Sequence, residues 1–331
     1  MTLRRVIWVV AAGWLGFGLP AVATGPFGGN DSGIPGTSTV FRGWISNVEG
    51  WVQPVAGSGG YSRNSNGDFG SGPEVVIGFP GGFDLDEQDM PFHVFSLGNG
   101  GRLTVSFEGG IANRPGPDFA VFENGFTDWT RPGDVEYTFA ELAFVEVGTT
   151  TNAWARFPST YLGTNQVGLF GSLDVTLVDG LAGKHRLEYG TPFDLSVLVD
   201  HPNVVNGSVD LNFIRYVRLI DVIGNGSTTD SSGRPIYDPF NHASPSTTAL
   251  TDGFDLRGVG VIHFAGLELE LAGGQPHLRW FAEAGRSYRM LRGVNGVLTW
   301  FGEEIAGEDG WVSHPDPEPV AAALYYLEVL P

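Results

Sequence analysis

The stretch RLTVSFE, residues 102–108, places Leu103, Val105 and Phe107 on one face and polar side chains on the other. Side chains of a β-strand point alternately to its two faces, so this period of two predicts a strand with one buried face. Further strands bounded by turn residues are predicted at 118–122, 139–147, 212–220 and 257–264. The pattern therefore predicts an all-β protein, in which a jelly-roll β-sandwich is the expected form.

The composition agrees with short strands joined by many turns. Glycine occurs 50 times and proline 21 times in 331 residues, while 42% hydrophobic residues supply a core. The chain has no cysteine, which excludes disulfides, thiol catalysis, cysteine-bound zinc and iron–sulfur clusters. Stability must therefore come from core burial and from any bound metal.

Four segments are expected along the chain. Residues 1–23 read as a signal peptide, because two arginines precede an apolar run and the small residues of Ala21-Val22-Ala23 offer a cleavage site. Residues 24–39 are rich in Gly, Ser and Pro and predict a flexible lead-in. The jelly-roll domain is expected at 40–270, and a small fibronectin-like β-sandwich at 271–331, after Gly273-Gly274.

The leader and the charge restrict location and partners. A formal charge of -19 repels phosphate backbones, which argues against nucleic acids and anionic membranes as partners. No membrane span is expected once the leader is removed. We expect a secreted protein, located outside the cell, at the cell surface or in the periplasm. So acidic a chain suits cation binding, or solubility alone.

Acidic and amide side chains concentrate near the ends of several predicted strands. Glu141 is the most informative, because a carboxylate between apolar neighbours is costly unless it is paired or coordinated. Oxygen ligands gathered from loops suit Ca²⁺, which takes six to eight of them. The candidate metal ligands are Asp118, Glu123, Asn124, Glu141, Asp221, Asp238, Asp252 and Asp255.

The tripeptide Phe-Asp-Leu occurs three times, at 83–85, 193–195 and 254–256. In one interpretation its aspartate sits at a strand edge and accepts hydrogen bonds from backbone N–H groups. In the other interpretation some of these aspartates bind metal.

Other chemistry is less specific. The seven histidines form no zinc motif and no Gly-x-Ser-x-Gly elbow is present. Glu123 and Glu141 could act as paired carboxylates in glycoside hydrolysis, although among 37 acids some pair always exists. Trp129 lies in a predicted loop and could stack on a sugar ring. Trp44 and Trp51 are alternative aromatics, and partial burial under loops is the plainer interpretation of all three.

Several short motifs in order resemble a family of secreted or cell-surface bacterial proteins that often carry C-terminal sorting signals. The motifs are FSLGNGG at 95–101, GPDFAVFENG at 116–125, FAELA at 139–143, LAGKH at 181–185, GTPFDL at 190–195, PIYDP at 235–239 and GFDL at 253–256. This resemblance implies a galactose-binding-like jelly roll and an exported location, and it implies no settled activity. The segment from about Leu267 resembles a small fibronectin type III-like module of exported proteins, through Leu278, Trp280 and Tyr288.

The leading hypothesis is an exported, non-catalytic module that is stabilised by calcium and binds a glycan or another cell-surface component. One alternative is a polysaccharide-active enzyme that uses paired carboxylates. The other alternative is a structural component of a surface layer.

Overall fold

A computed structural model describes residues 25–29, 32–53, 62–63, 69–80, 94–128, 136–186, 188–239, 253–282, 284–308, 310–320 and 323–330. Within these ranges the chain is nearly all β, which confirms the predicted β-sandwich class. Helical structure there amounts to helix α1 (Pro202–Val205) and three 3₁₀ turns at Pro73–Val76, Val175–Leu177 and Leu195–Leu198. No helix among the described residues is both long and apolar enough to cross a membrane.

Twenty of the described strands precede residue 262 and build the larger sandwich with its flanking ribbons. They are β1 (Ile34–Pro35), β2 (Gly43–Trp44), β3 (Asn47–Val52), β4 (Ser62–Arg63), β5 (Phe69–Ser71), β6 (Val94–Ser96), β7 (Arg102–Ile111), β8 (Phe119–Glu123), β9 (Phe126–Thr127), β10 (Tyr137–Phe139), β11 (Ala143–Gly148), β12 (Ala155–Arg156), β13 (Thr160–Tyr161), β14 (Leu173–Asp174), β15 (Val178–Asp179), β16 (Tyr189–Phe193), β17 (Ile214–Asp221), β18 (Asn225–Thr229), β19 (Pro235–Tyr237) and β20 (Asp255–Val261).

Two antiparallel sheets face each other across the main core. One has eight strands in the order β1-β16-β8-β20-β6-β4-β5, with β2 also paired to β20, and the other has five in the order β12-β11-β17-β7-β3. The alternation in residues 102–108 places Leu103 and Val105 of β7 in this core, where they meet Phe119 and Val121 of β8. Packing between the two sheets is therefore set by the inward residues of β7 and β8.

Short ribbons cover part of the outer surface of the sandwich. Strands β9, β10 and β14 form one ribbon, β13 pairs with β15, and β18 pairs with β19. Phe144 of β11, together with Leu142 and Val222, packs under these ribbons in a second buried cluster. This leaves the β3 and β7 side of the five-stranded sheet more open.

The strand predicted at 139–147 is interrupted. Strand β10 ends at Phe139, strand β11 begins at Ala143, and residues 140–142 belong to neither. Glu141 lies in this break, where it leaves the alternation of the sheet and is buried at the end of the sandwich. The prediction of one continuous strand is therefore wrong, because apolar periodicity does not register the break.

The described part of the predicted flexible lead-in is hydrogen-bonded to the sandwich. Strand β1 pairs with Tyr189 and Gly190 of β16, and the N–H of Gly25 donates to Thr176 Oγ1 over 2.6 Å. The Gly- and Pro-rich composition of residues 24–39 suggested a loose segment, but these backbone bonds hold its described residues in place.

Six strands form the small C-terminal module. They are β21 (Glu268–Ala272), β22 (Gln275–Ala282), β23 (Ser287–Val294), β24 (Val297–Ala306), β25 (Gly310–Pro315) and β26 (Leu324–Leu330). They build two three-stranded sheets, β21-β22-β25 and β24-β23-β26, around a core that contains Trp280 and Met290. Gly273 and Gly274 both have positive φ and form a hairpin turn inside this module rather than a linker before it. The module therefore begins at β21, a few residues earlier than the glycines suggested.

Aromatic stacking and hydrogen bonds join the module to the larger sandwich. The rings of Phe213 and Phe281 stack with centroids 3.5 Å apart, and Trp311 Nε1 donates to Asp210 Oδ2 over 3.1 Å. Arg114 forms an ion pair of 2.5 Å with Glu268. These contacts dock the two units against each other.

Gly183 offers a test of how tightly the chain packs near Glu141. Its φ is +87°, and an added Cβ would lie 1.8 Å from the Glu141 carbonyl oxygen. We expect Gly183→Ala to lower the free energy of unfolding by roughly 2–5 kcal/mol, from left-handed strain plus overpacking. Urea denaturation would measure this change.

Gly207 provides the matched control, because its φ is +77° and an added Cβ would meet nothing within 4 Å. Gly207→Ala should cost only the strain, about 1–2 kcal/mol. Equal losses in the two variants would contradict the packing argument.

Candidate functional site

Five acidic side chains gather at one end of the larger sandwich. Glu123 ends β8 and Asp255 begins β20, and these antiparallel neighbours bring both to the same edge of the eight-stranded sheet. Asp221 ends β17 and is the register partner of Ala143, the first residue of β11. Glu141 and Asp238 lie next to these strand ends. We call Glu123, Glu141, Asp221, Asp238 and Asp255 the carboxylate cluster.

All five members of the carboxylate cluster are buried. Their exposed fractions lie between 1% for Glu123 and 7% for Asp255. Burying an ionised carboxylate is costly unless it is paired, hydrogen-bonded or coordinated. The partners of each oxygen therefore decide what the cluster can do.

Backbone amides donate hydrogen bonds to Asp221 and Asp238. Asp221 Oδ1 accepts from the Phe254 N–H and Oδ2 accepts from the Gly100 N–H, each over 2.7 Å. Asp238 Oδ2 accepts from the Leu142 N–H over 2.9 Å. These bonds fix both aspartates by the main chain of neighbouring segments.

Side chains serve Asp255, whereas the two glutamates each leave one oxygen without a partner in the described part of the chain. Asp255 accepts from the Ser96 hydroxyl, and the Asn124 side-chain amide donates to its Oδ2 over 3.0 Å. Glu123 Oε2 accepts from the Gly125 N–H over 2.7 Å. Glu123 Oε1 and Glu141 Oε1 are buried and have no hydrogen-bond partner among the described residues. These two oxygens are acceptors without a donor.

The pKa of Glu141 depends on the charges of the other four members of the carboxylate cluster. Burial raises the pKa of Glu141 well above its usual range, and the nearby charges of Asp255, Glu123, Asp238 and Asp221 raise it further. Burial, followed by the charge of Asp255, raises the pKa of Glu123 as well. Burial and then Asp221 raise the pKa of Asp238. Without a counter-cation, these groups favour their protonated forms.

Buried basic residues lie near the cluster. Arg257 of β20 is fully buried, and burial lowers its pKa to about 10 against the opposing charges of Glu123 and Glu188. Lys184, the single lysine of the chain, is 5% exposed and follows Gly183, which contacts the Glu141 backbone. Burial, and then the Lys184 charge, lowers the pKa of its neighbour His185 to about 3. His185 is therefore neutral near pH 7 and adds no positive charge.

The donor set of the cluster suits a hard cation, but its spacing is open. Carboxylate and amide oxygens are the ligands that Ca²⁺ prefers, and two of them lack partners. Across the described ranges, however, no three His, Asp or Glu side chains come close enough together to hold one ion as they stand. Binding of one ion by three or more of these carboxylates would therefore require side chains of the cluster to rearrange.

Asp118 was expected among the ligands of the same metal site, but it lies apart from the carboxylate cluster. It precedes β8 whereas Glu123 ends it, and five residues of strand span about 17 Å. Its carboxylate accepts from the N–H groups of Leu195 (2.8 Å) and Arg114 (2.9 Å), and its Oδ1 lies 2.8 Å from His263 Nδ1. Asp118 joins three chain segments and acts in the structure as a buried acceptor.

Where the structure describes them, the remaining candidate metal ligands and the candidate sugar-binding tryptophans lie in different environments. Asn124 touches the cluster through Asp255, while Asp252 and Trp129 lie outside the described residues. Trp44 packs against Phe41 and Phe122, with ring centroids 5.1 and 5.5 Å away, in agreement with partial burial. Trp51 is 48% exposed, so partial burial under a loop is not what the structure shows for it.

Sequence reasoning missed two residues of the site. Arg257 is the first residue of a predicted buried strand, and a charged residue at the start of such an apolar run indicates a buried counter-charge. Ser96 gives no such signal, because its role depends on the pairing of β6 with β20.

The hydrogen bonds of Asp118 lead to a stability prediction. We expect Asp118→Ala to lower the free energy of unfolding by about 2–4 kcal/mol, because two backbone donors and His263 lose a buried acceptor. Thermal unfolding should show the same loss with calcium and with a chelator. Asp200→Ala, at an exposed position, is the control. A loss seen only with calcium would make Asp118 a metal ligand after all.

Comparisons with protein-family models, with curated proteins and with solved structures found no match to this chain. The resemblance described from its motifs accordingly stays a prediction.

Proposed function

We propose that the chain is an exported, non-catalytic binding or surface module whose sandwich is stabilised by Ca²⁺ at the carboxylate cluster. The observation that carries the proposal is the pair of buried oxygens without donors, Glu123 Oε1 and Glu141 Oε1. Native proteins rarely leave such groups unsatisfied, and a single bound cation would satisfy both oxygens.

The chemistry of the cluster favours calcium over other metals. Its ligands would all be oxygens, whereas histidine and cysteine, which suit zinc and copper, are not among them. Glu123 and Glu141 would supply the oxygens that lack hydrogen-bond donors within the described ranges. Calcium also tolerates variable numbers of ligands and irregular geometry.

Burial supports a non-catalytic role over the paired-carboxylate enzyme. Glu123 is 1% exposed and Glu141 is 3% exposed, so neither carboxyl group is open to a polysaccharide chain. A general acid must come within hydrogen-bond reach of the glycosidic oxygen that it protonates. These two carboxylates are better suited to an internal ion.

The export signal, the acidic surface and the second β-sandwich support a location outside the cytoplasm. A jelly roll followed by a fibronectin-like module, with two three-stranded sheets, is the finer assignment that we propose for the two units. The partner would be a glycan or another cell-surface component, since a charge of -19 disfavours polyanions.

Calcium should stabilise the protein against heat. An ion that binds only the folded state adds RT ln(1 + [L]/Kd), or about 2.7 kcal/mol at a hundredfold excess over Kd. We expect a clear rise in Tm when calcium is added to chelator-treated protein, and a much smaller rise with magnesium. Differential scanning calorimetry measures both. An unchanged Tm in protein shown by elemental analysis to be free of calcium would contradict the proposal.

Glu141→Gln should have opposite effects with and without calcium. Because burial raises the pKa of Glu141, its contribution to folding stability is fully present below about pH 4.3, the usual glutamate value. This contribution is lost as pH rises through the folded-state pKa. Glutamine is neutral at every pH, so it removes the cost of ionising this buried side chain. In chelator near pH 8, the variant should therefore be more stable than the wild type.

With saturating calcium the order should reverse, because the variant lacks one charged ligand. Glu303→Gln, at an exposed position, is the control and should change neither value. A Glu141→Gln protein that is less stable than the wild type in chelator and unchanged in its response to calcium would argue against both the raised pKa and the ion.

A further inference from the structure

An open groove lies on the outer face of the five-stranded sheet, beside its edge strand β3. Its volume is about 350 Å³. The lining residues that matter here are Glu49, Trp51, Arg102, Thr104, Trp154 and Arg218. We call this feature the sheet-face groove.

The register of the sheet explains why polar side chains line the sheet-face groove. One row of register partners runs across the sheet and consists of Gly50 on β3, Thr104 on β7, Arg218 on β17 and Glu146 on β11. Partners in antiparallel strands share a face. The next row, with Val105 and Val217, faces the buried core. The row from Gly50 to Glu146 therefore faces outward.

Gly50 leaves this row without a side chain at its edge. A Cβ added there would meet no atom within 4 Å, and the backbone of Gly50 does not require positive φ. The open space at the β3 end of the row is therefore a consequence of this residue choice.

One wall of the groove is a rigid aromatic surface. The guanidinium of Arg218 lies 4.0 Å from the centroid of the Trp154 ring, and its Nε donates to Glu146 Oε2 over 2.6 Å. Trp154 Nε1 donates to the Thr151 carbonyl over 3.1 Å. A ring fixed from two sides loses little conformational entropy when a ligand stacks on it.

The other wall supplies hydrogen-bonding groups. Arg102 is exposed and, in the part of the chain that the structure describes, makes no hydrogen bond or ion pair. Glu49 Oε1 accepts from Ser106 over 2.6 Å, which positions a carboxylate at the groove. One free guanidinium and one fixed carboxylate offer donors and acceptors without an excess of charge.

We propose that the sheet-face groove binds an uncharged oligosaccharide. A sugar ring would stack on the face of Trp154 that Arg218 does not cover, and its hydroxyls would bond to Arg102, Glu49 and Thr104. The formal charge of -19 disfavours a polyanionic glycan, and Arg102 and Glu49 in the groove carry opposite charges. This inference rests on the proposed function as a binding module and names its binding surface and ligand class.

Isothermal titration calorimetry of the full chain tests the proposal. The probes are cellohexaose, xylohexaose, mannohexaose and maltohexaose, with polygalacturonate as the charged comparison. We expect at least one neutral hexasaccharide to bind, and Trp154→Ala to weaken that binding on the order of tenfold or more. Trp300→Ala is the matched control, because Trp300 is 51% exposed on the small module, away from the groove, and should bind as wild type does.

Gly50→Leu is the second variant and keeps the test independent of damage to Trp154. Its side chain would fill open space without removing a native contact, so the folded state should persist while binding is lost. Binding of no neutral hexasaccharide, binding of polygalacturonate alone, or wild-type affinity in both groove variants would overturn the inference. Titrations with calcium and with chelator separate this result from the ion proposal, because the groove does not include the carboxylate cluster.

Discussion

Mutual repulsion among five buried carboxylates is the constraint that organises one whole end of the sandwich. The fully buried guanidinium of Arg257 offsets part of the charge, and side-chain donors from Ser96 and Asn124 bond to Asp255. Further hydrogen bonds come from the main-chain amides of Gly100, Phe254, Leu142 and Gly125. Each of these amides belongs to a segment that leaves or enters a strand. The backbone next to these strand ends therefore has two roles. It donates hydrogen bonds to the carboxylates, and it closes this end of the core.

The sandwich separates three environments with few residues. The space between the sheets is apolar and carries the packing, the strand ends carry buried charge, and the outer face near β3 carries exposed aromatics with paired and unpaired charges. The small module is docked elsewhere, through Phe213 and Phe281. An ion site and a ligand surface could therefore change independently, since they share no side chain.

The three Phe-Asp-Leu tripeptides show how far the sequence alone could lead. Asp194 accepts from the Ser196 N–H at the start of a 3₁₀ turn, whereas Asp255 enters the carboxylate cluster, and the first copy lies outside the described residues. Local sequence is the same, and only the tertiary pairing of β20 separates the two. Alternation in β7 and the other apolar runs was enough to predict the sandwich, and the concentration of acids near predicted strand ends supplied the members of the cluster. These patterns could not show that Asp118 and Glu123 lie at opposite ends of one short strand. They also could not identify Trp154, because its contact with Arg218 depends on where β17 lies in the fold.

The burial of Lys184 has a consequence for studying the protein. With its single lysine only 5% exposed, the chain presents a lysine-specific protease with one peptide bond and hides it in the native state. Cleavage at that bond then reports the opening of the segment beside Glu141, and when reclosing is fast the rate follows the population of the open form. Cleavage at Lys184 therefore measures local unfolding at the acidic end of the sandwich without any introduced label.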